Sequence, residues 1–124
     1  MNWIVPSLEG EMGEFERAAR EYGLQVHELI LLFRNGALMD LDDETWSKLE
    51  NTDSWNTVSF RIVMEIAAKH ERNARPIFDA LLAHTPIQAP IVLGLADGRT
   101  VLVSGNTRLM VYRALGVRPQ VFRI

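Results

Sequence analysis

Apolar side chains recur along the first part of the chain at the three- and four-residue steps of amphipathic helices. From Glu9 to Tyr22, the positions Met12, Phe15, Ala19 and Tyr22 keep such steps and Gly23 supplies a stop, which predicts a helix. Val26 to Arg34 predicts a second, with Leu29, Ile30, Leu32 and Phe33 apolar and Asn35-Gly36 closing it. Leu41-Asp42-Asp43-Glu44-Thr45-Trp46 has a capped, acidic start suited to a helix N-terminus, and Asn51-Thr52-Asp53-Ser54 keeps that helix short. The next predicted helix runs from about Asn56 to Lys69 or His70, with Val58, Ile62, Val63, Ile66 and Ala67 on one side. Pro76 suits the first position of another, followed by Phe78, Leu81 and Leu82.

The pattern changes character at Pro86. Two β-prone runs, Pro90 to Ala96 and Thr100 to Val103, flank Asp97-Gly98 and predict a hairpin with a tight turn. The second run passes through Ser104-Gly105-Asn106-Thr107-Arg108 directly into a predicted amphipathic helix that ends at Gly116. Gln120 to Ile124 reads as a closing strand after Pro119. Strand, helix and strand in that order predict parallel pairing of the Thr100–Val103 run with the closing strand through a crossover. The fold class expected is α+β in one domain, 1–124. Its N-terminal half is helical (1–72), and a small mixed sheet with a crossover helix follows (73–124).

Composition narrows the classes of function. With 124 residues, 48% of them hydrophobic, the chain is long enough to bury a core without covalent staples. It has no cysteine, which removes disulfides, thiolate metal sites and cysteine nucleophiles together. A cytoplasmic setting is expected, since neither a signal-peptide pattern nor a membrane-length apolar run is visible. Net charge is −3, unevenly spread. Residues 1–97 hold all 16 acids, dense at Glu9, Glu11, Glu14, Glu16 and Glu21 and again at Asp40, Asp42, Asp43 and Glu44. The end holds Arg99, Arg108, Arg113, Arg118 and Arg123 and no acid. That asymmetry suits an anion site near the C-terminus, and equally an attraction between the two parts of the chain.

The turn at 104–108 carries the chemistry. It places a glycine, small polar side chains and an arginine at a helix N-terminus, where backbone N–H groups and the positive end of the helix dipole attract anions such as phosphate. Gly105 permits close approach of the backbone, Ser104, Asn106 and Thr107 can cap or donate, and Arg108 can grip phosphate with two N–H groups. Tyr112 shares a helix face with Arg108 and is expected to border a ligand. The plainer reading is a strand-to-helix turn whose polar residues only cap the helix.

These residues carry a resemblance. Pro90-Ile91-Val92-Leu93, a hairpin, and then Val103-Ser-Gly-Asn-Thr-Arg-Leu-Met-Val-Tyr-Arg-Ala-Leu-Gly116 resemble the ParB/sulfiredoxin-like (ParB-like nuclease domain) superfamily. The likeness covers roughly 73–124, including the Arg75-Pro-Ile-Phe-Asp-Ala-Leu-Leu82 helix, and is nearest to small stand-alone phage and bacterial members with a Gly-Asn-Thr-Arg turn. It implies nucleotide or phosphate binding at Ser104, Gly105, Asn106, Thr107 and Arg108, with Pro90 and Ile91 in the family's Pro-Ile box at the pocket edge. The implied cofactor is a nucleoside triphosphate with Mg²⁺, and weak nucleotide hydrolysis or phosphotransfer comes within its scope. Asn106-Thr107 replaces the Cys-His of sulfiredoxins, which excludes sulfinic-acid reduction, and the Glu-Arg of ParB's CTP-binding turn. No helix-turn-helix is legible, so sequence-specific DNA binding is not expected.

Other residues say less. Asp40, Asp42, Asp43 and Glu44 suit a solvated helix start better than a metal loop. His27, His70 and His84 form no metal pattern, Asp97 is explained by its turn, and Trp46 and Trp55 read as anchors of the loop between them. Glu71 and Asp79 are the acids nearest the β unit, but no catalytic base is identifiable, so whether the chain is an enzyme stays open. Besides nucleotide or phosphate binding, two functions stay in play. One is a non-catalytic interaction module, such as a phage accessory factor, binding a protein partner or a second copy through residues 9–35. The other is a nuclease, disfavoured by the acidic balance.

Overall fold

The computed structural model describes residues 3–49 and 59–124 and has an α+β fold with a helical N-terminal half. In chain order the elements are β1 (Trp3–Ile4), α1 (Met12–Tyr22), α2 (Val26–Arg34), β2 (Ala37–Met39), α3 (Asp43–Lys48), α4 (Phe60–Lys69) and α5 (Arg75–Leu82). Then follow β3 (Ile87–Gln88), β4 (Ile91–Gly94), β5 (Thr100–Ser104), α6 (Asn106–Ala114) and β6 (Val121–Arg123). The predicted α2 bounds coincide with those observed, while α1 starts three residues late because Leu8–Glu11 forms a turn, with Glu11 N–H donating to Leu8 C=O at 3.1 Å. Residues 56–58 of the predicted fourth helix, and Trp55, lie outside the described residues.

One sheet has the order β2-β6-β4-β5, and β1 and β3 form a separate parallel pair. β4 and β5 are the predicted antiparallel hairpin, but its loop is longer than Asp97-Gly98. Leu95 N–H donates to Arg99 C=O at 2.8 Å, leaving Ala96, Asp97 and Gly98 as the loop. The predicted parallel partner of the closing strand is corrected too. β6 runs parallel to β4, not to β5, and antiparallel to β2. One edge of β5 is consumed by the hairpin, and on its carbonyls Leu102 and Val103 it accepts hydrogen bonds from the Arg17 guanidinium (3.5 and 2.9 Å). β6 pairs along the other edge of β4.

The period-2 alternation of strands sorts the core into layers. Ile91, Leu93 and Val103 face α1 and α2, packing on Phe15, Ala18, Ala19 and Leu29 with Phe122. Val92, Leu102 and Val121 point the other way, onto Leu109 of α6 and onto Leu41 and Leu49 around α3. The outer side of α6 is covered by α4 and α5, where Met110, Val111 and Tyr112 meet Val63, Ala67, Ala74 and Leu81. Leu109 to Tyr112 are each at most 1% exposed. The expectation of an amphipathic α6 is thus corrected: it is a central helix enclosed by sheet on one side and helices on the other.

Candidate phosphate site at the start of helix α6

β5 delivers Ser104 to the sheet edge, and the chain turns sharply at Gly105 into α6. Gly105 has φ +103, a left-handed conformation that favours glycine. A Cβ there would meet the Pro90 Cα at 3.1 Å and Arg108 Nη2 at 3.2 Å, so the turn is pressed against the start of β4. The N-cap residue, Gly105, has no side chain with which to cap α6. The first N–H groups of α6, from Asn106 onward, have no acceptor within the helix and present the positive end of its dipole. Ser104, Asn106 and Thr107 are buried.

The turn opens into a cavity of about 430 Å³ lined on one wall by Ser104 to Arg108. The other wall is the polar face of α1, Glu11, Glu14, Arg17 and Glu21, with Arg72 and Ile77 at the rim. Three guanidinium groups and three carboxylates meet there. Arg108 donates to Gln88 C=O at 3.1 Å and pairs with Glu11 Oε1 at 3.5 Å. The Ser104 hydroxyl donates to Glu11 Oε2. Arg72 reaches Thr107 Oγ1 at 3.5 Å and Glu14 Oε1 at 3.8 Å. Arg17 bridges Glu14 and Glu21 at 3.1 and 2.5 Å.

The five residues of the expected turn therefore sit together at one cavity, whereas Tyr112 does not join them. Its ring is fully buried, edge-on to Trp3 at 5.1 Å, and its hydroxyl lies 3.4 Å from Gln88 C=O. Burial pushes the Tyr112 phenol well above its ordinary value, with nearby Arg108 opposing. Four residues on from Arg108 the helix has turned inward, because both sides of α6 are covered. Pro90 backs the turn and Ile91 is 0% exposed in the core, and neither lines the cavity.

Five charged lining residues, Glu11, Glu14, Arg17, Glu21 and Arg72, were not expected at the site. The signal for four of them lies in the spacing of Glu11, Glu14, Arg17 and Glu21, a polar stripe opposite the apolar face of α1. Such a stripe reads as a solvated face unless another element covers it. Glu71 is exposed in a turn and Asp79 is held by Arg75 at 3.0 Å, and neither lines the cavity.

The acidic run is a helix start. Asp42 Oδ1 accepts from Thr45 N–H at 2.7 Å, Asp43 pairs with Arg118 and Glu44 with Lys48. Trp46 packs under the Arg113 guanidinium, 4.5 Å from the ring centroid. His27, His70 and His84 are exposed, and no three metal-binding side chains converge among the described residues. No described helix is long and apolar enough to cross a membrane. In comparisons with family models, curated proteins and solved structures, the chain matches none.

Proposed function

We propose that this chain binds a phosphate-bearing ligand, a nucleotide in the reading drawn from the ParB/sulfiredoxin-like resemblance, at the turn 104–108. The observation that carries the proposal is the glycine-led N-terminus of α6 opening into a cavity of about 430 Å³ with guanidinium groups from α1, α6 and the α4–α5 connection. That volume lies within the usual range for small-molecule sites. In this reading the Gly105 turn and the N–H groups after it cradle phosphate, and Thr107 donates from its hydroxyl. Asn106 orients the ligand and Arg108 holds phosphate oxygens with paired donors. Mg²⁺ would enter on the phosphates. Glu14, a carboxylate lining the cavity, would help hold it alongside substrate oxygens.

Calorimetric titration with ATP, CTP, GTP and ADP, with and without Mg²⁺, tests the proposal. Binding of at least one, lost in Arg108→Ala while circular dichroism stays native, is the expected result. Absence of binding throughout would refute it. Release of inorganic phosphate in the same samples decides whether the site also hydrolyses.

A second reading is favoured by α2, where Leu31 is 54% and Leu32 43% exposed. It makes the N-terminal helices a protein-binding or self-association face. A monomer by light scattering at high concentration, with no partner recovered in pull-downs, argues against it.

A further inference from the structure

Glu11 occupies the N-cap position of α1, yet its side chain makes no capping bond there. It leaves its own helix and crosses to the start of α6. One carboxylate oxygen accepts from the Ser104 hydroxyl and the other lies 3.5 Å from Arg108 Nη2. Both members of the Glu11–Arg108 pair are nearly enclosed, at 15% and 14% exposure. Two oxygens of one anion on two different donors, beside a helix N-terminus, are what a bound phosphate would show in the same place.

We infer that Glu11 is a tethered occupant of the phosphate position, and that it selects for ligands carrying more negative charge than a carboxylate. The inference rests on the reading of 104–108 as a phosphate site. A tethered group competes with an effective concentration on the order of millimolar. A free monoanion offers Arg108 and Ser104 nothing that Glu11 does not already provide. A di- or triphosphate offers several charged oxygens, which can reach the α6 N–H groups, Arg108 and Arg72 together.

The residues just before Glu11 lie at the surface, and Leu8 ties the segment to the core. Gly10 precedes Glu11 at φ +86 with open space around its Cα, and residues 9 and 10 are exposed. The first buried anchor of α1 is Phe15. Glu14 serves the rim instead, shared between Arg17 and Arg72.

Titration of inorganic phosphate, pyrophosphate and ATP into the full chain and into Glu11→Gln tests this. Glu16→Gln, an exposed site that does not line the cavity, removes the same charge from α1 and controls for long-range attraction. Loss of one charge-assisted competing bond should tighten inorganic phosphate by about tenfold in Glu11→Gln. ATP should gain less, and Glu16→Gln should stay within about twofold of the unaltered chain. Glu11→Asp keeps the charge but shortens its reach. It should fall between the two, and it stands in if Glu11→Gln melts early. Equal gains in Glu16→Gln and Glu11→Gln overturn the inference, as does unchanged or weakened phosphate binding in Glu11→Gln. In both cases binding itself survives, so the phosphate-site reading stands. If no form binds any of the three ligands, that reading fails and takes this one with it.

Discussion

At the scale of single residues, Arg108 and Tyr112 divide the space next to Gln88. Both reach its carbonyl, Arg108 at 3.1 Å from the cavity side and Tyr112 at 3.4 Å from the core side. The arginine keeps a charged face toward the cavity, and the tyrosine seals the floor with an uncharged ring. That seal depends on the phenol staying protonated. Its folded-state pKa is raised above the ordinary 10.0 by burial, so the neutral form is the one folding favours. The contribution is complete below pH 10 and is lost as pH rises toward the folded-state value, because the unfolded chain ionises first. Urea midpoints should therefore begin to drop as pH rises above about 10. Tyr112→Phe should flatten that drop while costing no more than about 1 kcal/mol at pH 7, the scale of one neutral hydrogen bond. An equally steep alkaline fall in the variant would mean that other groups govern it.

At the scale of elements, legibility followed how much of the signal was local. α2 was readable to its ends because apolar spacing and Asn35-Gly36 act within one helix. The Gly105 turn was readable because strand, glycine and polar cap are contiguous. β1 and β3 were not, since two residues cannot display alternation. β2 lies between Gly36 and Asp40 and exists because β6 offers an edge. That β6 pairs with β4 rather than β5 is a long-range choice that no local pattern displays. The site divides the same way: its α6 wall is contiguous sequence, and its α1 wall is recognisable only once α1 lies over β5. At α3 the local signal is strong enough to test. Bonds from Thr45 hold the Asp42 carboxyl below its ordinary value of 3.8. A lowered folded-state pKa stabilises above 3.8 and that contribution disappears as pH falls through the folded-state value. Asp42→Ala should lower the melting temperature at pH 7 and show a shallower acid-side loss than the unaltered chain. Parallel melting curves from pH 7 to pH 2 would show the Asp42 cap to be idle.

On the scale of the whole molecule, the β-rich portion 73–124 contains the turn but does not own its surroundings. Phe15, Ala18, Ala19 and Leu29 cover one face of the sheet, and Leu41 and Leu49 close part of the other. Val63 and Ala67 cover the outer side of α6, and β2 supplies the outermost strand beside β6. Uneven charge follows the same division. Arg108 meets Glu11 and Arg118 meets Asp43, so part of the arginine-rich end faces acids of the first half. These pairs contribute little individually where exposed. The apolar faces matter more. Expressed alone, 73–124 would leave one sheet face, part of the other and the α4-covered side of α6 to water, and a chain that short rarely buries enough surface to stay folded. Its amide NMR spectrum should lack dispersion, and it should not bind any phosphate ligand that the full chain binds. Mixing it with a separate 1–72 chain should restore both, since the missing half supplies the apolar cover together with Glu11, Glu14, Arg17 and Arg72. A folded, ligand-binding 73–124 fragment would instead make the first half an addition to a self-sufficient phosphate module. Glu11 would then act only as a lid upon it.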